Sequence, residues 1–480
     1  MNIRPVLFIL GFLYFGLATS MLIPAMVDLA VDNSDWVGFV GSALFTGTAG
    51  LLLVVSSHNE LREGLTIRQA FLLTTLAWTT LPAFGALPFL HIGVPYVDAA
   101  FEAVSGVTTT GSTVLSGLDH QPPGLLLWRS ILQWLGGVGI IVMAIVLLPY
   151  LQVGGMQLFK TESSDRSEKI VPRASEFFRL LASTYLFLTL LCALGFYLTE
   201  MSWFDAINHA MTTLSTGGFS THDASFAFFT NPVTVWIGTI FMFAGGLPFT
   251  LIIQALRGRP LALWRDPQVI TLFRFLAVVS LVAAIYLAIA QGIPLQTAVT
   301  LTAFNFTSIT TTTGFAYGDY TMLGAPIVGI VFLLTFVGGC TGSTAGGIKI
   351  FRFIVFAGML RNHLRRMVRP HRILSTNYNN IPLSPDIAMS VLAFLVAYLG
   401  SVGFFTLILT FFGLDLVTAL TGAAQAVGNV GPGLGEIIGP AGNFATLSDG
   451  AKWIFALAML MGRLELFTVL VVLDPEFWRR

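Results

Sequence analysis

A run of threonines followed by one glycine, at residues 309–315, lies between two long apolar segments. The pattern recurs at 107–111 and 214–218, and residues 428–432 stand where a fourth copy would fall. One glycine of each copy repeats at intervals of roughly 100 residues, so the chain is predicted to consist of four similar units. These glycines are Gly111, Gly217, Gly314 and Gly431.

The composition indicates whether these units fold in water or in a membrane. Hydrophobic residues make up 55% of the 480 residues and charged residues 10%, and the mean hydropathy is +0.82. No water-soluble domain of this length carries so few charges, and we therefore predict an all-α polytopic membrane protein. Cys192 and Cys340 lie far apart in apolar surroundings, which argues against a disulfide framework or a cysteine-rich metal site.

Ten apolar segments are long enough to cross a hydrocarbon core, which takes about 20 helical residues. The first follows Arg4 and is longer than the apolar region of a signal peptide, so it is predicted to be a retained helix. The ten segments lie near 5–27, 36–56, 70–90, 125–150, 177–199, 232–256, 269–290, 323–360, 387–412 and 449–473.

Four shorter segments of moderate apolarity each end at a threonine and glycine stretch. They are too short to cross and return, and we predict re-entrant half-helices, whose irregular backbone must be surrounded by protein or water. These segments lie near 96–108, 202–214, 294–310 and 414–428.

Basic residues predict the orientation of the chain. Cytoplasmic loops are enriched in lysine and arginine, and the loops on the opposite side hold little beyond Arg129 and Lys452. Both termini are therefore predicted to be cytoplasmic, and every re-entrant segment is predicted to enter from outside. The basic segments lie near 57–69, 151–176, 257–268 and 361–372.

The densest basic cluster allows two interpretations. It can simply retain its loop in the cytoplasm, or it can bind a partner protein or anionic lipid. Nucleic acid is not an expected partner for so short a run beside the membrane. The cluster comprises Arg361, Arg365, Arg366, Arg369 and Arg372.

The parity of the crossings predicts the symmetry. Two crossings and one re-entrant segment return the chain to the same side, so consecutive units are parallel and surround an axis along the membrane normal. The predicted fold has ten transmembrane helices, with four parallel helix–re-entrant loop–helix repeats in a pseudo-fourfold arrangement around one pore. The predicted boundaries are 1–69 for a two-helix extension and 70–176, 177–268, 269–380 and 381–480 for the four repeats.

Threonine and glycine suit a cation pathway. Backbone carbonyls can replace the hydration shell of an alkali cation without a fixed counter-charge, and glycine permits the backbone conformations that this requires. Close helix packing is the usual role of such residues in membranes, but four copies favour a filter. Three other glycine pairs, Gly136-Gly137, Gly154-Gly155 and Gly245-Gly246, are predicted to be packing sites or hinges. The predicted filter consists of Thr109, Thr110, Gly111, Ser215, Thr216, Gly217, Thr312, Thr313, Gly314, Asn429, Val430 and Gly431.

Two features indicate gating. The eighth apolar segment is interrupted at 338–347, and freed backbone at membrane depth must line a cavity or pack on protein. Arg463, in the middle of the last predicted helix, could form a positive barrier in the pathway or a structural ion pair, with Glu465 as one partner. The predicted gating residues are Gly338, Gly339, Gly342, Ser343, Thr344, Gly346, Gly347, Lys349 and Arg463.

These glycine-centred stretches, with residues 338–349, 431–435 and Gly462-Arg463, resemble the bacterial TrkH-type potassium uptake proteins of the Trk/Ktr/HKT superfamily. The resemblance implies a multi-pass protein of the inner membrane with K⁺ as the transported ion. The cytosolic segments are too short for a nucleotide-binding domain and have no Gly-x-Gly-x-x-Gly fingerprint between a strand and a helix, so this chain is predicted to bind no organic cofactor. The resemblance also implies a homodimer and a cytosolic TrkA-type regulatory subunit that binds NAD/NADH or ATP/ADP. The resemblance further implies that glycine at all four filter positions favours K⁺ over Na⁺ and that the loop at 338–347 is the intramembrane gate.

The predicted mechanism is gated, passive permeation of K⁺ and Rb⁺. The alternative is symport of K⁺ with H⁺ or Na⁺, for which Asp98 and Glu102 are acidic candidates. An intramembrane protease is disfavoured, because the chain lacks the required motifs around Ser343 and His209 and because one catalytic site needs no fourfold repetition. The chain is therefore predicted not to be an enzyme.

Overall fold

The computed structural model describes residues 1–57, 65–143, 174–371, 374–379 and 381–479. Within these ranges seven helices are long and apolar enough to cross a membrane. Arg372, Gly154-Gly155 and much of the predicted basic segments at 57–69 and 151–176 lie outside the described residues. The seven helices are Arg4–Ala30, Trp36–Ser56, Ile67–Gly85 with its continuation Leu87–His91, Pro123–Val142, Ala174–Tyr197, Pro267–Gln291 and Pro385–Phe411.

Two of the predicted crossings are broken rather than continuous. Pro232–Gly245 and Phe249–Leu256 meet at 107°, and Asp449–Arg463 and Phe467–Leu473 meet at 104°. The continuous helices predicted at 232–256 and 449–473 are therefore wrong, although Gly245-Gly246 does end a helix, as expected for a hinge. Counting each bent pair as one span gives up to nine candidate spans among the described residues, so the tenth crossing stays a prediction.

The eighth predicted crossing also consists of two helices. Ala325–Leu334 and Ile350–Val368 are separated by residues 335–349, which include the predicted interruption. Val337 and Ile348 pair as a parallel bridge that closes the base of this connection. We call residues 335–349 the intramembrane loop.

Four short helices match the predicted half-helices. At 12 to 16 residues they are shorter than the about 20 residues that a crossing needs. Asp415 caps the fourth by accepting hydrogen bonds from the amides of Val417 and Thr418, and Ser202 caps the second. We call them short helices 1 to 4: Tyr96–Val107, Trp203–Leu214, Leu295–Thr310 and Leu416–Gly428.

The N-terminal pair of helices packs on the rest of the chain. Gly11 and Gly50 allow the two helices to approach closely, since a Cβ built on Gly11 would lie 2.8 Å from the Gly50 carbonyl oxygen. The Asp28 carboxylate accepts a hydrogen bond of 2.7 Å from the amide of Gly124, which joins the pair to the helix Pro123–Val142. The extension is therefore a packed part of the fold.

The remaining elements are short. They comprise the helices Leu261–Arg265 and Pro475–Trp478, the 3-10 turns Leu118–His120, Ser225–Phe228 and Tyr320–Leu323, and the antiparallel strands Asn377–Tyr378 and Ile381–Pro382.

The outer surface is apolar, as a lipid environment requires. Leu44, Ile289 and Phe411 are 72%, 81% and 81% exposed. The polar threonine and glycine segments are instead buried, so the molecule has a polar centre and an apolar exterior.

Candidate ion pathway

One residue adopts the left-handed conformation just after each short helix, at the second position in the first three segments and at the first position in the fourth. Its φ lies between 51° and 56° in all four segments. This conformation costs about 1–2 kcal/mol for an L-residue, and three of the four are β-branched threonines, in which it is rare. The four residues are Thr109, Thr216, Thr312 and Asn429.

The same type of backbone hydrogen bond offsets the cost of the left-handed conformation in each segment. The amide that follows it donates to the carbonyl five positions back, at 2.9 Å from Thr110 to Ser105 and at 2.7 Å from Thr313 to Ser308. The second and fourth segments form the same bond, from Gly217 and from Val430, both at 2.9 Å. This pattern ends a helix in a Schellman motif, so all four segments leave their helices along the same path.

A glycine with positive φ follows two positions later. Gly111, Gly314 and Gly431 have φ of 89°, 84° and 108°, and the corresponding residue of the second segment is Gly218, at 76°. The prediction of Gly217 as the equivalent glycine is therefore wrong by one residue. Gly217 occupies the position of Thr110, and the conformation that favours glycine falls at Gly218.

The four glycines close a ring. A Cβ built on Gly111 would lie 2.2 Å from the Gly217 carbonyl oxygen, and one on Gly218 would lie 1.9 Å from the oxygen of Thr313. A Cβ built on Gly314 would lie 2.2 Å from the carbonyl oxygen of Val430, and one on Gly431 would lie 2.8 Å from that of Thr110. Each glycine thus abuts the residue before the glycine of the next segment, and the fourth abuts the first. We call this arrangement the glycine ring.

Hydroxyl groups of the ring bond mainly to one another and to backbone. The hydroxyls of Thr108 and Thr110 lie 2.7 Å apart, and those of Thr311 and Thr313 lie 2.8 Å apart. Asn429 donates to the hydroxyl of Thr110 at 2.9 Å. Asparagine replaces a hydroxyl residue in the fourth segment, so this contact makes the ring asymmetric, and none of the residues that form the ring is charged.

Other glycines allow neighbouring helices to reach the segments. A Cβ on Gly136 would lie 1.9 Å from the Val107 carbonyl oxygen, and one on Gly462 would lie 2.1 Å from that of Val427. One on Gly245 would lie 2.9 Å from the Thr216 side chain. These contacts agree with the packing role predicted for Gly136 and Gly245.

The intramembrane loop lies directly against the ring segments. The Thr216 hydroxyl donates to that of Thr344 at 3.1 Å, and the Gly346 amide donates to the Thr312 hydroxyl at 2.7 Å. A Cβ on Gly346 would lie 2.4 Å from the Gly428 carbonyl oxygen. The loop therefore contacts the second, third and fourth segments at or beside their left-handed residues.

The loop also forms hydrogen bonds with the backbone where the helices Pro232–Gly245 and Phe249–Leu256 meet at 107°. The amide of Cys340 donates to the carbonyl of Gly246 at 2.8 Å, and the amide of Phe249 donates to the carbonyl of Gly342 at 3.0 Å. Each non-helical segment thus supplies partners for the backbone groups freed by the other. The predicted residues Gly338, Gly339, Ser343 and Gly347 also belong to this loop.

Two positively charged side chains contact backbone carbonyls of the loop. Arg463, which is 2% exposed, donates to the Thr344 carbonyl at 3.0 Å, and the Lys349 ammonium contacts the carbonyl of Ala345. Nε and Nη2 of Arg463 have no hydrogen-bond partner within the described residues. Arg463 ends its helix instead of lying in the middle of a longer one, as had been predicted.

Glu465 is not the partner of Arg463. Its carboxylate lies 2.5 Å from Arg352, whose guanidinium also stacks 3.6 Å from the ring centre of Phe394. The ion pair with Glu465 considered for Arg463 is therefore wrong, and the guanidinium of Arg463 instead contacts the Thr344 carbonyl and lies 5.7 Å from the ring centre of Trp78.

Comparisons with known proteins identify the family. The model of the family TrkH, described as a cation transport protein, matches residues 41–479. The chain belongs to the TrkH family. It is 48% identical to the Trk system potassium uptake protein TrkI of Halomonas elongata, over 99% of this chain and 97% of that one. It is 36% identical to TrkH of Escherichia coli K12, with both chains covered completely.

A solved structure shares the fold of this TrkH-family chain. The crystal structure of the potassium transporter TrkH from Vibrio parahaemolyticus matches with a TM-score of 0.92 and 33% identity, and the match covers 100% of both chains. The family and these relatives are transporters, which confirms that the chain is not an enzyme.

A buried ion pair in this TrkH-family chain supports the ring on the face where the short helices begin. Glu102 and Arg129 lie 2.7 Å apart at 0% and 1% exposure. Arg129 also donates to the carbonyl of Ser220 at 2.9 Å and lies 4.1 Å from the ring centre of Phe219. Arg129 is thus not a loop charge, as the sequence had suggested, and it joins the first segment to the second.

Replacing Arg129 with methionine is expected to destabilise the protein strongly. Removing one partner of a buried pair costs about 3–5 kcal/mol, because the remaining charge loses its compensation. Thermal unfolding in detergent measures the effect. The control is Lys452→Met, which breaks the pair with Asp98, a carboxylate that is 22% exposed and thus keeps some hydration. Equal losses in the two variants would contradict the role assigned to Arg129.

His222 connects the loops that follow short helices 1 and 2. Its ring donates to the Asp119 carboxylate at 2.5 Å, lies 3.5 Å from Asp205 and stacks on Phe228. Burial alone would lower the pKa of His222, but the two carboxylates together raise it. The hydrogen bond from His222 in turn lowers the pKa of Asp119.

The contribution of His222 to stability is expected to fall as the pH rises. A raised pKa means that the folded state binds the proton more tightly, so the stabilisation is complete below the unfolded pKa of about 6.5 and is lost as pH passes the folded value. The difference in unfolding temperature between the wild type and His222→Gln should therefore shrink from pH 6 to pH 9. A difference independent of pH would contradict the charged pairing.

Proposed function

We propose that this TrkH-family protein takes up K⁺ across the inner membrane of a bacterium, and that the glycine ring is its selectivity filter. The observation that carries the proposal is the closed contact of Gly111, Gly218, Gly314 and Gly431 with the carbonyls of neighbouring segments. Closely spaced carbonyl dipoles can replace the hydration shell of K⁺ and still release the ion. The names of the relatives as potassium uptake proteins support the choice of ion.

The intramembrane loop is proposed to gate this pathway. Its contacts with Thr216 and Thr312 support the proposal, because a loop in this position obstructs the passage next to the ring. Arg463 holds the loop through the Thr344 carbonyl and places a positive charge there. A fixed positive charge in a narrow passage repels cations. Opening therefore requires the bond between Arg463 and the Thr344 carbonyl to break, so that the loop can leave the ring segments.

We infer the orientation and the partners from the basic residues and from the family. Arg361, Arg365, Arg366 and Arg369 lie at the exposed end of the helix Ile350–Val368, which we assign to the cytoplasm together with both termini. This end is available to anionic lipid or to a TrkA-type subunit that binds NAD/NADH or ATP/ADP. A homodimer is the expected assembly.

Gated permeation is favoured over coupling to H⁺ or Na⁺. The two acidic candidates for a proton relay, Asp98 and Glu102, are engaged with Lys452 and Arg129. Both carboxylates are thus committed to ion pairs that join neighbouring elements of the fold.

Ion flux into proteoliposomes tests this mechanism. K⁺ flux is expected to follow the K⁺ gradient alone. A shift in the reversal potential when a pH or Na⁺ gradient is imposed would instead establish symport.

A further inference from the structure

One amide side chain holds the second ring segment on both sides of its glycine. Gln133, on the helix Pro123–Val142, is completely buried. Its Nε2 donates to the Gly217 carbonyl at 2.6 Å, and its Oε1 accepts from the Phe219 amide at 3.0 Å. The two bonded peptide groups lie on either side of Gly218, the ring glycine of this segment.

Gln133 occupies the space of a missing side chain. The residue before the ring glycine is Thr110, Thr313 or Val430 in the other segments, but it is Gly217 in the second. A Cβ on Gly217 would lie 2.4 Å from Cδ of Gln133. The absence of a side chain at Gly217 is therefore what admits the amide of Gln133 from the neighbouring unit.

The hydrogen bonds of Gln133 make the environments of the four ring carbonyls unequal. The Gly217 carbonyl abuts Gly111, just as the carbonyls of Thr110, Thr313 and Val430 abut the other ring glycines. Within the described part of the chain, Gly217 alone of these four carbonyls accepts a hydrogen bond from a side chain. A donor on a carbonyl oxygen competes with a cation for its lone pairs and fixes its direction.

We propose that Gln133 is a positioning residue that determines the ion selectivity of the ring. It fixes the peptide groups around Gly218 and so prevents the second segment from collapsing inward onto a smaller cation. The inference rests on the proposed filter function and adds to it a residue outside the threonine and glycine stretches. Gln133 acts through Gly217 and Phe219 and is not itself a ligand of the ion.

Two variants and one control test the proposal. Gln133→Met keeps the approximate volume and removes both hydrogen bonds. Gln133→Glu keeps the acceptor for Phe219 but donates to Gly217 only when protonated. Ser130→Ala is the control, since Ser130 is buried one turn earlier on the same helix and its hydroxyl donates to the Leu126 carbonyl of that helix. The readouts are the ratio of Rb⁺ to Na⁺ flux in proteoliposomes and the unfolding temperature in detergent.

The flux ratio is expected to fall roughly tenfold in Gln133→Met, the size of effect typical of one or two lost buried hydrogen bonds. In Gln133→Glu the ratio should recover as the pH is lowered, whereas Ser130→Ala should retain the wild-type ratio. A merely structural role would lower the unfolding temperature and leave the ratio unchanged at every pH, and this result would overturn the proposal.

The Gln133→Glu titration decides the question if Gln133→Met does not fold. A flux ratio independent of pH in that variant would overturn the proposal even then. Absence of selectivity in the wild type would instead refute the proposed filter, so the two failures are distinguishable.

Discussion

Replacing Gly314 with serine is expected to abolish the preference of the flux for K⁺ and Rb⁺ over Na⁺ and Li⁺. Gly314 has φ of 84°, and a Cβ there would lie 2.2 Å from the Val430 carbonyl oxygen. The side chain must therefore displace one ring carbonyl and strain its own backbone, at about 1–2 kcal/mol for the left-handed conformation alone. Selectivity depends on the spacing and number of carbonyls, so we expect it to decrease by at least about tenfold.

The matched control separates this clash from backbone strain. Gly292→Ser also places serine at positive φ, 67°, but a Cβ there meets no atom within 4 Å. Both variants are reconstituted in liposomes, and the initial fluxes of the four cations are compared with those of the wild type. Wild-type selectivity in Gly314→Ser, or an equal loss in Gly292→Ser, would contradict the assignment of the ring as the filter.

Replacing Arg463 with glutamine is expected to increase K⁺ flux through the isolated chain. The substitution removes a positive charge next to the pathway and weakens the charge-assisted hydrogen bond that holds the Thr344 carbonyl at 3.0 Å. Bonds of this kind are worth about 1.5–3 kcal/mol. We expect an increase of about tenfold, which corresponds to about 1.4 kcal/mol and lies just below this range because glutamine can still donate a neutral hydrogen bond.

Arg463→Lys is the control for the charge. It keeps the positive charge and can donate to one carbonyl, so its flux should stay close to that of the wild type. Flux is measured with K⁺ inside and outside at matched osmolarity. Unchanged flux in Arg463→Gln would exclude Arg463 from the gate. A rise of equal size in Arg463→Lys would mean that shape, and not charge, controls the loop.

The sequence alone was sufficient to locate the elements that contribute to the ring. The short helices end at Val107, Leu214, Thr310 and Gly428, at or within one residue of the predicted ends. The prediction worked because helix length, the threonine run and the following glycine are all local features of the chain. The interruption at 338–347 was likewise predictable, since its glycines and hydroxyl residues cannot continue a helix in lipid.

The register of the second segment required coordinates. Ser215-Thr216-Gly217-Gly218 offers two adjacent glycines, and the φ of 76° at Gly218 and its contact with Thr313 identify the second as the ring glycine. Counting from the left-handed Thr216 would have given the same answer, but nothing in the sequence identifies Thr216 as left-handed, because a β-branched residue is not expected there.

The supporting contacts were not predictable because they join residues far apart in the chain. Gln133 reaches Gly217, and Arg129 reaches Ser220, across a separation of more than 80 residues in the chain. Each looks like an isolated polar residue in an apolar helix. The breaks between helices near Gly246 and Glu465 also depend on distant residues. The intramembrane loop bonds to the Gly246 carbonyl, and Arg352 pairs with Glu465.

The most direct test of the glycine ring as a cation site is anomalous diffraction from crystals of the protein soaked in Rb⁺ or Tl⁺. A peak enclosed by the segments that carry Gly111, Gly218, Gly314 and Gly431, and weakened when Na⁺ replaces the heavy ion, is the predicted result. Well-ordered ring segments with no peak between them, together with a cation peak elsewhere in the protein, would contradict the account.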